Sequence, residues 1–322
     1  MSYIEVEEND NKVEDLFYKY SVGAKPFLKW VGGKRQLLTQ FENLYPSELK
    51  QKTIKNYYEP FVGGGAVFYD VAQNYEIKNA FLYDINDELI ISYKVIQKDV
   101  SKLLEFLYSY DKLYKHFSEI KQQEFYYDIR HKYNLDRSNI NYEKYDEKWI
   151  PRVAQTIFLN KTCFNGLFRF NSKGGFNTPQ GNYKNPNIVD ESNLLNVSKL
   201  LEIATIKKAD FREVKSDVKD NSFLYFDPPY RPISKSASFT AYNKSGFSEF
   251  EQFQLAELFI GLDKFGHKLM LSNSDPKNMD PNDNFFDNIY SNFKISRVDA
   301  KRSINSDGTK RNLIKEIVVT NY

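Results

Sequence analysis

A strand that runs into three consecutive glycines and re-emerges as a helix leaves a chain few architectures. Residues 54–86 read IKNYYEPFVGGGAVFYDVAQNYEIKNAFLYDIN. The apolar and aromatic run at 54–61 predicts a strand, Gly63, Gly64 and Gly65 a tight turn, AVFYDVAQNY a helix, and 79–86 a second strand. That order is a βαβ unit and favours a parallel sheet, which places the chain in the α/β class. Glycines at such a turn let a ligand approach backbone N–H groups at a helix N-terminus. Asp84 lies 21 residues after Gly63, at the end of the second strand, where an acid can accept hydrogen bonds from ribose hydroxyls. The turn is not G-x-G-x-x-G, so a dinucleotide is disfavoured. GGKR at 32–35 lacks the upstream glycine of a phosphate-binding loop, which disfavours NTP hydrolysis. By itself a bare glycine-rich turn is more often just a tight turn than a nucleoside site.

Further strand patterns fall at 203–211, 222–230, 268–274, 293–300 and 315–322, with a helix predicted at about 248–263. Residues 90 to about 160 differ. They are charged and tyrosine-rich, show helical spacing at Leu103, Leu104, Phe106 and Leu107, and carry no strand signal. The expected organisation is an acidic N-terminal extension at 1–20, a sheet-bearing domain formed by 21–93 and 187–322, and an inserted, mainly helical segment at 94–186. The chain has 322 residues and is 41% hydrophobic, enough for a sizeable core. No run approaches the roughly 20 apolar residues of a membrane span, and the acidic N-terminus shows no secretory h-region. A single cysteine, Cys163, and three histidines argue for a reducing cytoplasm and against a metal site. Net charge is +2, but basic residues cluster. Lys161, Arg169, Lys173 and Lys184 occur without an acid between 161 and 184, and seven Lys/Arg stand against Asp299 and Asp307 between 294 and 315. Such segments suit phosphate contacts on one face, or two solvated loops.

YFDPPY at 225–230 ends an apolar strand on an acid, two prolines and an aromatic. An amino group on a heterocycle is a poor nucleophile, because its lone pair is delocalised into the ring. Acceptors aimed at its two N–H bonds draw the nitrogen toward tetrahedral geometry. Asp227 offers carboxylate oxygens and Pro228 a carbonyl held rigid by proline φ restriction. Tyr230 offers a stacking face, as a site for a flipped base requires. The plain alternative is an ordinary Asp-Pro turn.

With FLKWVGGKRQLL, EPFVGGGAVF, YDIN, NGLFRFNSKGGFNTPQGNYKNP, YFDPPY and AKRSINSDGTKRN in that order, the chain resembles the Dam-like N6-adenine DNA methyltransferases from about Pro26 to Tyr322. It is also similar to the methylase half of GATC restriction–modification systems. The resemblance implies a Rossmann-like methyltransferase sheet with an inserted, mainly helical recognition domain. It implies S-adenosylmethionine as cofactor, bound by Trp30, Lys34, Phe61, Gly63, Gly65, Asp84 and Asp227. Asp210 matches the acid that contacts the cofactor's adenine. Asp227, Pro228 and Tyr230 carry over as the target-base site.

For duplex DNA, the resemblance assigns Arg169 to one guanine, the commonest specific major-groove pair, and Lys29 to the other. Leu167 and Pro179 match apolar positions near a thymine methyl. Asn165, Tyr183 and Lys184 match contacts to the orphan base and the backbone. Phe164 stands where relatives often carry tyrosine, and a wedging ring needs no hydroxyl. Arg302, with Lys301, Lys310 and Arg311, reads as a phosphate-gripping run. These matches imply GATC with adenine as the target. A functionally paired restriction endonuclease that makes no direct contact is a compatible partner. Cytosine C5 chemistry needs a cysteine nucleophile, usually after a proline, and Cys163 follows Thr162. N4-cytosine methylation is the nearest rival. A catalytically silent DNA-binding relative has no reason to keep both Asp227 and Tyr230.

Overall fold

The computed structural model describes residues 23–231, 247–301 and 313–322. The acidic extension at 1–20, and Arg302 with Lys310 and Arg311, lie outside the described residues. Seven strands form one sheet: β1 Asn56–Glu59, β2 Asn79–Asp84, β3 Ala204–Lys208, β4 Ser222–Phe226, β5 Lys268–Ser274, β6 Lys294–Lys301 and β7 Leu313–Thr320, in the spatial order β3-β2-β1-β4-β5-β7-β6. The first five run parallel, and β7 is antiparallel to both β5 and β6. The strands expected at 54–61, 203–211 and 222–230 are shorter than their apolar runs. Each run overshoots into the turn at the strand's carboxyl end, where the glycines, Asp210 and the two prolines stop the ladder.

β4 is buried throughout, as parallel strands covered on both faces must be. Phe223 and Tyr225 join one core with Tyr57, Phe68 and Met270, whereas Leu224 and Phe226 join the other with Tyr58, Leu269 and Val319. Helix α1, Ala66–Asn74, follows the glycine turn, with Gly65 in the left-handed conformation as its N-cap. Helix α2, Asp87–His116, starts at an Asn86 side-chain cap and breaks at Asp99. Helices α3 Glu119–Asp136 and α4 Trp149–Thr162 continue the helical segment, and α5 Glu191–Leu200 returns the chain to the sheet. Position 94, the expected edge of the insert, falls within α2. The core on that side is continuous from the sheet to Trp149, Val153 and Phe158 of α4. Helix α6, Glu249–Asp263, begins at a Ser248–Glu251 capping box and covers the other face. No described helix is long and apolar enough to cross a membrane.

β1 lies between β2 and β4. The chain moves outward from β1 to β2 and β3, then crosses back to β4. The switch point therefore falls between the carboxyl ends of β1 and β4, the position where open α/β sheets bind ligands.

Candidate active site

At that switch point a cavity of about 1200 Å³ opens, and Trp30, Lys34, Glu59, Phe61, Asp84 and Asp227 are among its walls. The glycine turn, Asp210, Pro228 and Tyr230 line it too. The βαβ turn and the Asp-Pro-Pro-Tyr segment, 164 positions apart from Gly63 to Asp227 in the sequence, thus share one space.

The glycine end is built without side chains. Gly63 and Gly65 have φ of +45° and +69°, and a Cβ on Gly63 would lie 3.0 Å from the Trp30 ring. Trp30 therefore lies directly against the turn. The Tyr93 hydroxyl donates to the Gly63 carbonyl at 3.0 Å. Asp84 accepts from the N–H of Gly63 at 3.1 Å and from that of Asn86 at 2.9 Å. It makes no ion pair among the described residues, and burial raises its carboxyl above the usual range. It keeps lone pairs for hydroxyl donors. Beyond it, Phe61 stacks on Phe211 at 5.3 Å and 26°, and Phe247 meets Phe61 edge-on at 5.6 Å. These rings form an apolar slot of the kind that accepts a flat heterocycle. Asp210 borders the slot, but its carboxylate is shared. It caps the turn Phe211–Glu213 and pairs with the Arg212 guanidinium, which holds its carboxyl low.

The other end centres on Asp227. Lys34, 4% exposed, pairs with Asp227 Oδ2 at 2.8 Å, donates to the Gly32 carbonyl at 2.6 Å and lies 4.7 Å over the Tyr230 ring. Ser272 of β5 donates to Asp227 Oδ1 at 3.1 Å, and the Ser272 and Tyr225 hydroxyls share a hydrogen bond. Burial raises the Asp227 carboxyl, and Lys34 and Ser272 pull it down. The Tyr230 hydroxyl donates to Glu316 of β7. Gln252 of α6 donates to the Pro229 carbonyl at 3.1 Å. The carbonyl of Pro228, a residue that lines the cavity, by contrast receives no donor among the described residues. Burial also drives the Glu59 carboxyl well above its ordinary range, with Asp227 adding to the effect. Its Oε2 accepts from the Tyr57 hydroxyl at 2.7 Å.

The loop after α4 is scaffolded from below. Tyr126, Arg130 and Asn134 of α3 bond the carbonyls of Thr178 and Phe176, and Phe168, Phe176 and Tyr133 pack together. Phe164 (51% exposed), Asn165, Arg169, Pro179 and Lys184 face outward, with Leu167 and Tyr183 half-buried. Asn165 takes a left-handed φ of +56°. Arg169 Nε donates to Asn177 at 3.0 Å, and its two terminal nitrogens make no bond among the described residues. Lys29 reaches over the Tyr183 ring at 5.0 Å. Cys163 is fully buried beneath this loop, and burial pushes its thiol up to about 11.

Glu59, Ser272, Glu316, Phe211 and Phe247 are the site residues that motif reading did not single out. Glu59 alone had a signal, an acid at the end of an otherwise apolar strand. The cavity fits S-adenosylmethionine on the groups present: an Asp84 carboxylate with no ion pair among the described residues, an aromatic slot and a turn without side chains.

Comparison with known proteins agrees. The profile of D12 class N6 adenine-specific DNA methyltransferases matches residues 30–304. The chain is 49% identical over 300 residues to Type II methyltransferase M.MjaIII of Methanocaldococcus jannaschii, covering 93% of this chain and 99% of that one. It is 35% identical over 310 residues to Type II methyltransferase M1.LlaDCHI of Lactococcus lactis, covering 96% and 99%. It is 30% identical over 294 residues to the DNA adenine methylase of Escherichia coli, covering 91% and 94%. With a switch-point cavity joining a glycine turn to Asp-Pro-Pro-Tyr, and a family match across most of its length, the chain belongs to the D12 class of N6 adenine-specific DNA methyltransferases.

Proposed function

We propose that this enzyme methylates N6 of an adenine flipped out of duplex DNA, within GATC. The observation that carries the chemistry is the pair of acceptors at the end of β4: the carbonyl of Pro228, which accepts no hydrogen bond among the described residues, beside the Asp227 carboxylate. Together they match the two N–H bonds of one amino group. Lys34 and Ser272 occupy one position on each Asp227 oxygen, and a carboxylate has about four acceptor positions in all. Tyr230, fixed by Glu316, presents its ring to the base. S-adenosylmethionine supplies an electrophilic methyl group on a sulfonium. Trp30, Lys34, Phe61, Gly63, Gly65, Asp84 and Asp210 would hold it, with Asp84 toward its hydroxyls and the Phe61–Phe211–Phe247 slot toward its ring. The work of this chain is to orient the amine and exclude water. The alkylated amine is acidic and gives up its proton without a strong base, so positioning carries most of the rate.

The assignment to GATC rests on Arg169 and Lys29 for the two guanines and on Leu167 and Pro179 for the thymine methyl. Phe164, Asn165, Tyr183 and Lys184 would engage the orphan base and backbone, and Arg302 a phosphate. Residues 94–186 form the target-recognition domain in this reading. Two relatives carry Type II in their names, and on that ground a paired endonuclease reading the same site is proposed, with the cytoplasm as the compartment. The test is base-resolved mapping of plasmid DNA incubated with the protein and S-adenosylmethionine, beside the Asp227→Ala variant. N6-methyladenine confined to GATC, lost in the variant while DNA binding survives, is expected. N4-methylcytosine, methyladenine in another context, or an active variant would overturn the reading.

A further inference from the structure

Asn160, in the last turn of α4, is fully buried and has spent its amide on two segments far apart in the chain. Its Oδ1 accepts the Lys29 N–H at 2.8 Å, and its Nδ2 donates to the Lys29 carbonyl at 3.0 Å and to the Gly166 carbonyl at 3.1 Å. The two segments also touch directly. Gly166 has a φ of +68°, and a Cβ there would lie 2.3 Å from Lys29 Cδ. The Lys29 segment continues at once into the cavity wall, with Trp30 against Gly63 and Gly64 and Lys34 on Asp227. One six-residue stretch therefore touches the outward-facing loop, the glycine turn and the catalytic carboxylate. Asn160 is the polar pin between its first residue and the loop.

We propose that Asn160 is a specificity-determining positioning residue, which locks the 164–167 loop to the segment 29–34 so that only a correctly read target is presented to Asp227. This rests on the reading of Lys29 and the loop as base readers. The physical ground is rigidity. A wrong base is rejected only where the groups facing it cannot shift to accommodate it. A buried amide using both donors and its acceptor holds two backbones in fixed register, which apolar packing alone does not.

The test compares wild type, Asn160→Ala and Asn160→Asp on a GATC duplex and on duplexes with one base pair changed. It reads kcat/KM for each duplex, the KM for S-adenosylmethionine and the thermal midpoint. Asp keeps the acceptor for the Lys29 N–H but sets a carboxylate against two carbonyls. We expect the ratio of kcat/KM between cognate and altered duplexes to fall at least about tenfold in both variants, with a rise in the KM for S-adenosylmethionine. Equal losses on all duplexes, leaving the ratio unchanged, would reduce Asn160 to a folding role and overturn the proposal. Gly166→Ala strains the same junction from the loop side and should lower the ratio if the Asn160 variants do not fold. A ratio unchanged there also refutes the proposal. A wild type without preference among the duplexes would instead overturn the assignment of the loop as target reader.

Discussion

Gly65 gives the sharpest check on how the cavity is built. Its φ is +69°, and a Cβ would lie 2.6 Å from the Tyr93 hydroxyl. For Gly65→Ala the left-handed backbone alone costs about 1–2 kcal/mol. The hydroxyl has no easy retreat, because Tyr93 is fully buried, its ring meets Phe27 edge-on at 5.1 Å, and its hydroxyl donates to the Gly63 carbonyl. Pushing it aside breaks that bond and strands a buried polar group, a further ~1–3 kcal/mol. The expected destabilisation is therefore about 2–5 kcal/mol. Tyr93→Phe removes the bond without a clash and should cost about 1 kcal/mol. In the double variant the overlap with Tyr93 is gone and the Tyr69 ring, 3.3 Å from the new Cβ, need give only slightly, leaving mainly backbone strain and the lost bond, about 2–3 kcal/mol together. The double variant should thus fall short of the sum of the singles by about 1–3 kcal/mol. Urea unfolding of the three variants measures this directly, with calorimetric titration of S-adenosylmethionine following the turn. Additivity within about 0.5 kcal/mol would refute the close contact of Tyr93 with the glycine turn.

Other consequences are as specific. Arg152, buried in α4, forks onto Glu88 of α2, and Tyr142 donates to the same carboxylate. Arg152→Met should cost ~3–5 kcal/mol in denaturant unfolding by stranding Glu88, and adding Glu88→Gln should recover part of it; no recovery would mean the charge is not the cause. Lys34→Met removes the cation that opposes the burial-driven rise of the Asp227 carboxyl. Because only the ionised form is an acceptor on both oxygens, the acid limb of the kcat/KM profile should move to higher pH, and an unmoved limb would exclude Lys34 from that role. Stability responds in the opposite sense. A carboxyl raised in the folded state binds its proton more tightly there, so its destabilising contribution is present above that raised value and is relieved as pH falls through it. Cys163, with its thiol pushed up to about 11, should be inert to iodoacetamide, and Cys163→Ala should methylate at the wild-type rate; inactivation by alkylation of the folded protein would restore a role for the thiol.

Much of the fold was legible because its signals are local. The apolar run at 268–274 coincides with β5, and the helix expected at 248–263 is α6 with its capping serine. The helical character of 90–160 follows from spacing within single helices: Leu103, Leu104 and Leu107 are buried on α2 while Phe106 is 39% exposed. What the sequence withheld is pairing. Nothing in KEIVVTNY says that it inserts antiparallel between β5 and β6. Register across a sheet depends on contacts between segments far apart in the chain, and periodicity carries no trace of them.

The same division explains the site. Asp84, Asp227, Pro228 and the glycines were legible because each lies at or shortly beyond the carboxyl end of a strand, and a parallel sheet delivers every such residue to one edge. Ser272 and Glu316 were not, because they lie within strands β5 and β7 and read there as ordinary ladder positions. Only the strand order places Ser272 beside Asp227 and Glu316 at the Tyr230 hydroxyl. The buried carboxyl of Glu316 is raised by burial and drawn down by Lys34 and Tyr230. An acid retained in that setting costs stability unless its bonds are used, and its hydroxyl partner is Tyr230 on the cavity wall. Asp84, Asp227 and Pro228, which line the cavity, are thus encoded locally at strand ends. Those that hold them in place are encoded in the topology, through the neighbours that the switch from β1 to β4 brings together.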